Sequence, residues 1–241
     1  MDGARMDGEP GTGRSPHAGG WPRQSLLGVL DPHARAQLLA LGVQVRYPAD
    51  RVLMRESDPT DFVLVLLDGV VKVTGRTHDN RDALLAVRMG GDLVGEFAAL
   101  DGGARSATVT TCGPVAARSA TRAEFLDCVR RNPQIAQGLN ASVVAKLRTA
   151  TAYRIDFTGC DVATRLARVL HQIAVRYGEP DGTGAVIRWP ITQPELAALA
   201  GAAEPSVHKA LRRLRESGVL STGYRAIRID DLAELHRIAF A

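Results

Sequence analysis

The 241-residue sequence has little cysteine, few aromatic side chains and no long apolar run. Its three cysteines, Cys112, Cys128 and Cys160, form no CxxC pair and no Cys/His cluster with metal-ligand spacing, which argues against a disulfide framework and a zinc site. Scattered cysteines are typical of small buried side chains in a reducing compartment, so we expect a cytoplasmic protein. The longest apolar run, 62–67, is far shorter than the roughly 18 residues of a membrane helix, and no membrane partner is predicted.

The motifs of common enzyme classes are also missing. The sequence has no GxxxxGK[ST] phosphate loop, no HExxH, no GxSxG and no dinucleotide-binding glycine pattern, and its six histidines are dispersed. We therefore predict that the protein is not an enzyme and requires no cofactor. A formal charge of +4 and an isoelectric point near 9.2 allow a polyanionic partner but do not demand one.

The first half of the chain has the pattern of a β-protein. Residues 1–23 are dense in glycine, proline and charge without an apolar period, which predicts a disordered tail. Over 24–133, short apolar runs broken by glycine-containing turns predict a β-roll of the jelly-roll or double-stranded β-helix type. Within it, Asp68-Gly69 predicts a tight hairpin turn between two strands.

The segment 134–159 has the composition of one long helix. Ala136, Val143, Ala150 and Phe157 repeat every seven residues, and such a narrow apolar stripe favours contact between two copies of the helix. Packing of the stripe against the helix's own domain is the alternative. We predict a homodimer, with this segment as its dimerisation helix.

The last segment, 160–241, predicts a winged helix-turn-helix. Thr192 and Glu195 have the spacing of a capping box, and Gly201 ends the short helix that follows. A second helix is amphipathic and basic, and the pattern after Gly218 is that of a hairpin wing. The whole chain is thus expected to be α+β, with the roll joined to the winged domain by the long helix.

The exposed face of the second helix supplies candidates for reading DNA in a major groove. Glu204 is able to accept a hydrogen bond from cytosine, and Lys209 is able to donate one to guanine. His208 is a further base contact, with a surface residue of no role as the alternative. The side chains that suit phosphate oxygens are Thr192, Ser206, Arg212 and Arg225.

Two stretches carry a resemblance to a known family. They are "GEFAALDGGARSATV" at 95–109 and "ITQPELAALAGAAEPSVHKALRRLRESGVL" at 191–220. With the β-roll and the long helix, they resemble the CRP/FNR transcription regulators, the catabolite activator protein family, over about residues 25–229. The resemblance implies a homodimer whose roll binds an effector and whose winged domain binds a palindromic operator in double-stranded DNA. It also allows RNA polymerase as a partner.

The resemblance implies a phosphate cassette for a cyclic nucleotide such as cAMP or cGMP. Carried over by position, Gly95 would offer a backbone N–H, Glu96 would accept from the ribose 2′-OH, and Arg105 would pair with the cyclic phosphate. Ser106 would add a hydrogen bond to that phosphate. A salt bridge between Glu96 and Arg105 in the empty protein is the alternative interpretation.

The positions that read the base in cAMP-binding members fall near Ala150 and Thr151 on the long helix. Alanine at the first removes one polar contact, so the nucleotide is left open between cAMP, cGMP and another ligand. Two alternatives to a ligand-controlled regulator remain. One is a DNA-binding regulator with a vestigial roll, and the other is a cyclic-nucleotide-binding regulatory subunit that acts on a protein partner.

Overall fold

The computed structural model describes residues 20–78 and 82–241. The predicted fold class is confirmed: a β-roll, a long helix and a winged helix-turn-helix follow one another along the chain. Residues 1–19 of the predicted disordered tail lie outside the described residues. The end of that segment is anchored, because Trp21 donates its indole N–H to the Leu67 carbonyl of the roll at 3.0 Å.

The roll consists of two four-stranded antiparallel sheets with short helices before and between the strands. In chain order the elements are α1 (Leu26–Val29), α2 (Pro32–Leu39), β1 (Val43–Tyr47), β2 (Val52–Met54), β3 (Val63–Asp68), β4 (Val70–Arg76), β5 (Asp82–Met89), β6 (Leu93–Val94), α3 (Glu96–Asp101), β7 (Thr108–Thr111) and β8 (Val115–Ala120). One sheet has the order β1-β8-β3-β6 and the other β2-β7-β4-β5.

The predicted hairpin at Asp68-Gly69 is wrong. β3 pairs with β6 and β8, whereas β4 pairs with β5 and β7, so the chain passes from one sheet to the other at this point. The glycine is still required, because its φ is +86° and an added Cβ would lie 2.4 Å from the Pro114 carbonyl oxygen. The Asp-Gly dipeptide correctly predicts a sharp turn of the chain. It does not determine with which strand the residues after the turn pair.

Strand β3 lies at the centre of the roll and is buried on both faces. Leu64 and Leu66 face the core between the two sheets. Val63 and Val65 face the opposite way and pack in a second core with Phe125. Because successive strand residues point to opposite faces, a continuous apolar run is what a strand covered on both sides needs.

Two helices leave the roll, α4 (Arg122–Arg131) and α5 (Pro133–Gly159). Thr121 and Glu124 form a capping box at the start of α4. The Asn132 side chain caps α5 by accepting from the backbone N–H groups of Gln134 and Ile135. Proline at the first helical position is tolerated because its missing N–H would have had no partner within the helix.

The apolar faces of α5 differ from the predicted stripe. Its first half packs on the roll through Ile135 and Leu139, and Val143 of the predicted stripe packs against the same core. A different row, Val144, Leu147 and Ile155, is exposed, with 47 %, 66 % and 62 % of each residue accessible. The stripe with the seven-residue repeat is therefore partly used within the chain through Val143, whereas its last member, Phe157, is 60 % exposed like the neighbouring row.

The winged domain begins with α6 (Val162–Tyr177), whose N-cap is Asp161. Its other elements are β9 (Glu179–Asp181), β10 (Gly184–Ile187), α7 (Gln193–Ala200), α8 (Glu204–Glu216), β11 (Leu220–Gly223), β12 (Ala226–Ile229) and α9 (Leu232–Phe240). The sheet order is β11-β12-β10-β9. The predicted capping box of Thr192 and Glu195 starts α7, and Gly201 ends it in the left-handed conformation.

The winged domain is docked on the roll. Leu84, Val87 and Met89 of β5 belong to the same buried cluster as the core of the winged domain. Lys72 Nζ of β4 lies 2.5 Å from Glu195 Oε1 of α7, and the Tyr177 hydroxyl of α6 donates to the Val87 carbonyl at 3.0 Å. The β4–β5 side of the roll is thus the surface that carries the DNA-binding half of the molecule.

Candidate effector cavity and nucleic-acid interface

Arg105 is buried beside the first turn of α3, and only 4 % of the residue is exposed. Its guanidinium donates from Nη1 to the Gly95 carbonyl at 3.0 Å, from Nη2 to the Phe62 carbonyl at 2.7 Å, and from Nε to Thr60 Oγ1 at 3.1 Å. Burial lowers the pKa of Arg105. Arginine has five N–H groups, so two donors remain for a ligand.

Gly95 makes the close approach of Arg105 feasible. Its φ is +85°, and a Cβ at this position would lie 2.6 Å from Arg105 Nη1 and 2.9 Å from the Phe62 carbonyl oxygen. A side chain would therefore be strained in its backbone and would collide with the arginine. The contact that the structure shows for Gly95 is its carbonyl, which holds Arg105; the predicted role of its N–H stays a prediction.

Glu96 does not pair with Arg105, so the salt-bridge interpretation of these two residues is wrong. Its carboxylate, in a residue that is 4 % exposed, binds Lys146 Nζ of α5 at 2.6 Å. Lys146 also donates to the Leu93 carbonyl at 3.0 Å, and burial lowers the pKa of this lysine. The pair ties the cassette to the long helix and leaves the second carboxylate oxygen of Glu96 for a hydroxyl group.

Lys146 is a residue of the site that the sequence motifs did not predict. Its partner lies 50 residues away in the chain, so no local motif marks the pair. The usable signal was helical spacing: Lys146, Ala150 and Tyr153 recur at intervals of four and three, which places them on one face of α5. Because Ala150 was already expected to face the ligand, a lysine one turn earlier should have been expected beside the cassette.

A cavity of about 950 Å³ lies between the roll, α5 and α6. Gly95, Glu96, Arg105 and Ser106 all line it, so the structure brings four of the predicted ligand residues together. Thr151 does not line it and is exposed on the outward face of α5. The volume is at the upper end of the roughly 300–1,000 Å³ that is usual for small-molecule pockets.

The far wall of the cavity is formed by the winged domain and β5. Arg88 of β5 and Arg176 of α6 both line it. Arg88 donates to the Val87 carbonyl at 2.8 Å, and Arg176 Nη2 lies 4.0 Å from Asp92 Oδ1. The Tyr177 hydroxyl is 3.3 Å from Asp92 Oδ2. Side chains of the winged domain therefore reach the cavity directly.

The second predicted site is the exposed face of α8. Val207, Ala210, Leu211 and Leu214 are buried, so this helix is fixed by one apolar face. The other face exposes four of the candidates for contact with DNA, which are Glu204, Ser206, His208 and Lys209. Within the described part of the chain, Lys209 forms no ion pair. Arg212 also lies on the exposed face, 3.5 Å from Glu216 Oε1 one turn later.

The remaining two DNA candidates lie toward the roll. Thr192 caps α7, whose first turn carries the Glu195 that binds Lys72. Arg225 is at the tip of the wing with φ +54°, beside Tyr224, which is 92 % exposed. Burial raises the pKa of Cys112 in the roll to about 11. The positive charge of Arg225 acts in the opposite direction, so this charge is felt at Cys112. The charge of Arg225 therefore acts on the roll, while the tip of the wing and the face of α8 are both exposed.

Among residues 20–78 and 82–241, no helix is long and apolar enough to cross a membrane. The same residues contain no group of three or more His, Cys, Asp or Glu side chains placed to hold a metal ion.

Two family models match the halves of the chain that contain these sites. Residues 44–132 match the cyclic nucleotide-binding domain, and residues 164–238 match the Crp-like helix-turn-helix domain. The cassette and the cavity-lining strands fall within the first match, and α7, α8 and the wing fall within the second.

Relatives match across both halves. The chain is 30 % identical over 200 residues to the cyclic AMP receptor protein of Thermus thermophilus, covering 80 % of this chain and 87 % of that protein. It is 29 % identical over 217 residues to a CRP-like cAMP-activated global transcriptional regulator of Mycobacterium tuberculosis, covering 90 % and 97 %. The structure of FixK2 from Bradyrhizobium japonicum has the same fold, with a TM-score of 0.72 at 20 % identity over 83 % of this chain and 98 % of that one. The chain belongs to the CRP/FNR family of transcription regulators.

Proposed function

We propose that this protein is a homodimeric, sequence-specific DNA-binding regulator whose affinity for its operator is set by a cyclic nucleotide in the roll. The observation that carries the proposal is that Arg105 and Glu96 line the same cavity, both buried and each with unused hydrogen-bonding capacity. The relatives are transcription regulators, which agrees with the prediction that the chain is not an enzyme.

The two buried charges suit the two polar parts of a cyclic nucleotide. A cyclic phosphate is an anion that accepts hydrogen bonds, and the two free donors of Arg105 match it. The free oxygen of Glu96 suits the ribose 2′-OH, which is a donor. Ser106, exposed at the cavity wall, adds a hydroxyl beside the phosphate. The fold holds Arg105 and Glu96 in place before the ligand arrives, which lowers the entropic cost of binding.

The homodimer is proposed to form through the exposed row of α5. Val144, Leu147 and Ile155 recur at intervals of three and eight residues on one face, and a second copy of the helix would bury them. Thr151 lies on the same outward face, four residues after Leu147. In that dimer Thr151 is placed at the subunit contact, so it would reach a nucleotide held in the partner's cavity rather than in its own.

The docking of the winged domain supplies a route from ligand to DNA. Because α6 lines the cavity and α7 is tied to Lys72, a ligand with different affinities for the docked and released arrangements shifts the balance between them. Release frees Thr192 and Arg225 to join α8 on DNA phosphates. In a dimer the two α8 helices would occupy half-sites about 34 Å apart in a palindromic operator.

Double-stranded DNA is thus the proposed partner, and we place the protein in the cytoplasm, where that DNA lies. RNA polymerase remains a proposed partner, since a regulator bound beside a promoter acts through it. The α8 sequence departs from the family's usual opening at Glu204 and Pro205, so the operator is expected to differ from the familiar one.

The test is operator affinity with and without nucleotide. An operator is first selected from random or genomic DNA, and its affinity is then measured for the wild type, Arg105→Gln and Arg46→Gln. Arg46 is an exposed arginine of β1 and serves as the matched control. We expect cyclic nucleotide to change affinity in the wild type and in Arg46→Gln only. Equal affinities in every condition would reject ligand control and leave a regulator with a vestigial roll, whereas failure to select any DNA would reject DNA binding.

A further inference from the structure

The end of the cavity opposite Arg105 is built differently from the cassette. If the phosphate lies at Arg105 and the ribose at Glu96, the base occupies the space between α5 and α6. The polar side chains that line the cavity along these elements include Thr149 and Tyr153 of α5, Arg88 of β5, and His171, Gln172 and Arg176 of α6. Ala150, which stands where cAMP-binding members carry a polar base contact, lines the same space.

Arg176 has a buried donor without a partner. Its Nε is inaccessible to solvent and makes no hydrogen bond within the described chain, and the side chain is only 20 % exposed. Leaving a buried N–H unpaired is costly, so the guanidinium of Arg176 keeps hydrogen-bonding capacity that the described chain does not use. The carboxylate of Asp92 is 4.0 Å from Nη2 and is shared with Tyr177.

Arg88 lies close to the same place. Burial raises the pKa of Tyr153, and the charges of Arg88 and Arg176 both oppose that rise, so both guanidinium groups lie near this tyrosine. Arg88 is fixed by the Val87 carbonyl, and the Tyr177 hydroxyl is a second hydrogen-bonding partner. The base end of the cavity therefore presents two neighbouring guanidinium groups, one of them fixed and one with a free donor.

Guanidinium groups distinguish the two purines because they only donate hydrogen bonds. Guanine carries two adjacent acceptors, N7 and O6, whereas adenine carries an acceptor at N7 beside a donating amino group at C6. Thr149 Oγ1 donates its own proton to the Ala145 carbonyl at 3.0 Å, which leaves that oxygen as an acceptor for the N1–H or amino group of guanine. An adenine amino group would find no acceptor on either guanidinium group.

We propose that Arg88 and Arg176 select a 6-oxopurine, so that the effector is cyclic GMP rather than cyclic AMP. This inference rests on the proposed function, since it assumes the phosphate at Arg105. It also gives Arg176 a direct part in the switch: the residue belongs to α6 of the winged domain, so the base of the ligand bridges the roll and the DNA-binding half.

The experiment is calorimetric titration of the full-length protein with 3′,5′-cyclic GMP, cyclic IMP and cyclic AMP. Cyclic IMP shares the 6-oxo group of cyclic GMP but lacks its 2-amino group, so it isolates the contact made at C6. We expect the wild type to bind cyclic GMP and cyclic IMP about tenfold more tightly than cyclic AMP. Glutamine both donates and accepts, so Arg176→Gln should bring that ratio close to one. The ratio is the decisive readout, because a purely structural role of Arg176 would weaken all three ligands alike.

Two further variants separate this inference from the proposed function. Arg237→Gln replaces an exposed arginine of α9 in the same domain and should keep the wild-type ratio. Arg105→Gln should weaken all three nucleotides together. Wild-type binding of cyclic AMP as tight as that of cyclic GMP, still dependent on Arg105, would overturn the selection of a 6-oxopurine and leave the proposed function standing. An equal loss of all three ligands in Arg176→Gln would also overturn it, and no binding of any nucleotide would overturn both.

Discussion

The cassette and α8 both depend on basic side chains, but Arg105 of the cassette is buried and the basic side chains of α8 are exposed. Arg105 is 4 % exposed and makes three hydrogen bonds to the roll, whereas Lys209 is exposed and forms no ion pair among the described residues. The charges of the cassette are therefore already oriented by hydrogen bonds, whereas the charged side chains of α8 are still surrounded by solvent. Loss of Arg105 should therefore affect folding as well as binding, and loss of a charge on α8 should affect binding alone.

The largest expected effect is on stability, in Arg105→Gln. The change leaves buried carbonyls of Gly95 and Phe62 without their charged donor, and we expect the free energy of unfolding to fall by about 3 kcal/mol. The matched change Arg213→Gln on α8 should stay within about 0.5 kcal/mol of the wild type. Urea unfolding of both variants measures the difference. Equal stabilities would mean that the cassette is not the preorganised site described above.

The next effect concerns the DNA-facing charges. Lys209→Ala should change base preference at one operator position, because a base contact is worth about 1–3 kcal/mol of discrimination. Arg225→Ala should weaken all sequences alike and reduce the salt slope of binding by about one. Binding to an operator library at several salt concentrations separates the two. The reverse pattern would show that the wing, not α8, reads the bases.

A smaller effect is expected at the junction of the two regions. Lys72→Met removes the ion pair with Glu195 that crosses from roll to winged domain, and a partly exposed pair contributes up to about 1 kcal/mol. If docking restrains the winged domain, Lys72→Met should raise the operator affinity of the ligand-free protein by a few fold. Such a change corresponds to a free energy on the order of that of the ion pair. Arg188→Met breaks an exposed pair with Glu179 inside the winged domain and is the control. The idea fails if both variants behave alike.

Local patterns in the sequence were enough for the recognition helix. The capping box of Thr192 and Glu195, the left-handed Gly201 and the buried face containing Val207 and Leu211 all depend on residues close in the chain. Helix signals of this kind act over one or two turns, and tertiary packing did not override them. The DNA-facing candidates on α8 were for the same reason placed on the exposed face.

The cassette was predicted less completely, because its geometry depends on distant residues. Spacing and resemblance found Glu96 and Arg105, but their true partners, Lys146 and the carbonyl of Phe62, are 50 and 43 residues away. The exchange of sheets at Gly69 was missed for a related reason, since a turn motif specifies a bend and not the strand that pairs next. Nothing in the local sequence indicated that α6 would line the cavity.

The smallest effect concerns a contact inside the winged domain, where His171 of α6 faces His236 of α9. The two ring nitrogens are 3.3 Å apart, and burial together with the charge of His236 lowers the pKa of His171. Because the pKa of His171 is lowered only in the folded protein, the unfolded chain binds more protons near pH 6.5. The free energy of unfolding therefore falls as the pH drops below about 7. Between pH 7.5 and 5.5 the melting temperature of the wild type should fall more than that of His171→Gln, while His208→Gln, on the exposed face of α8, should match the wild type. An identical fall in all three would show that the histidine pair does not couple the winged domain to pH.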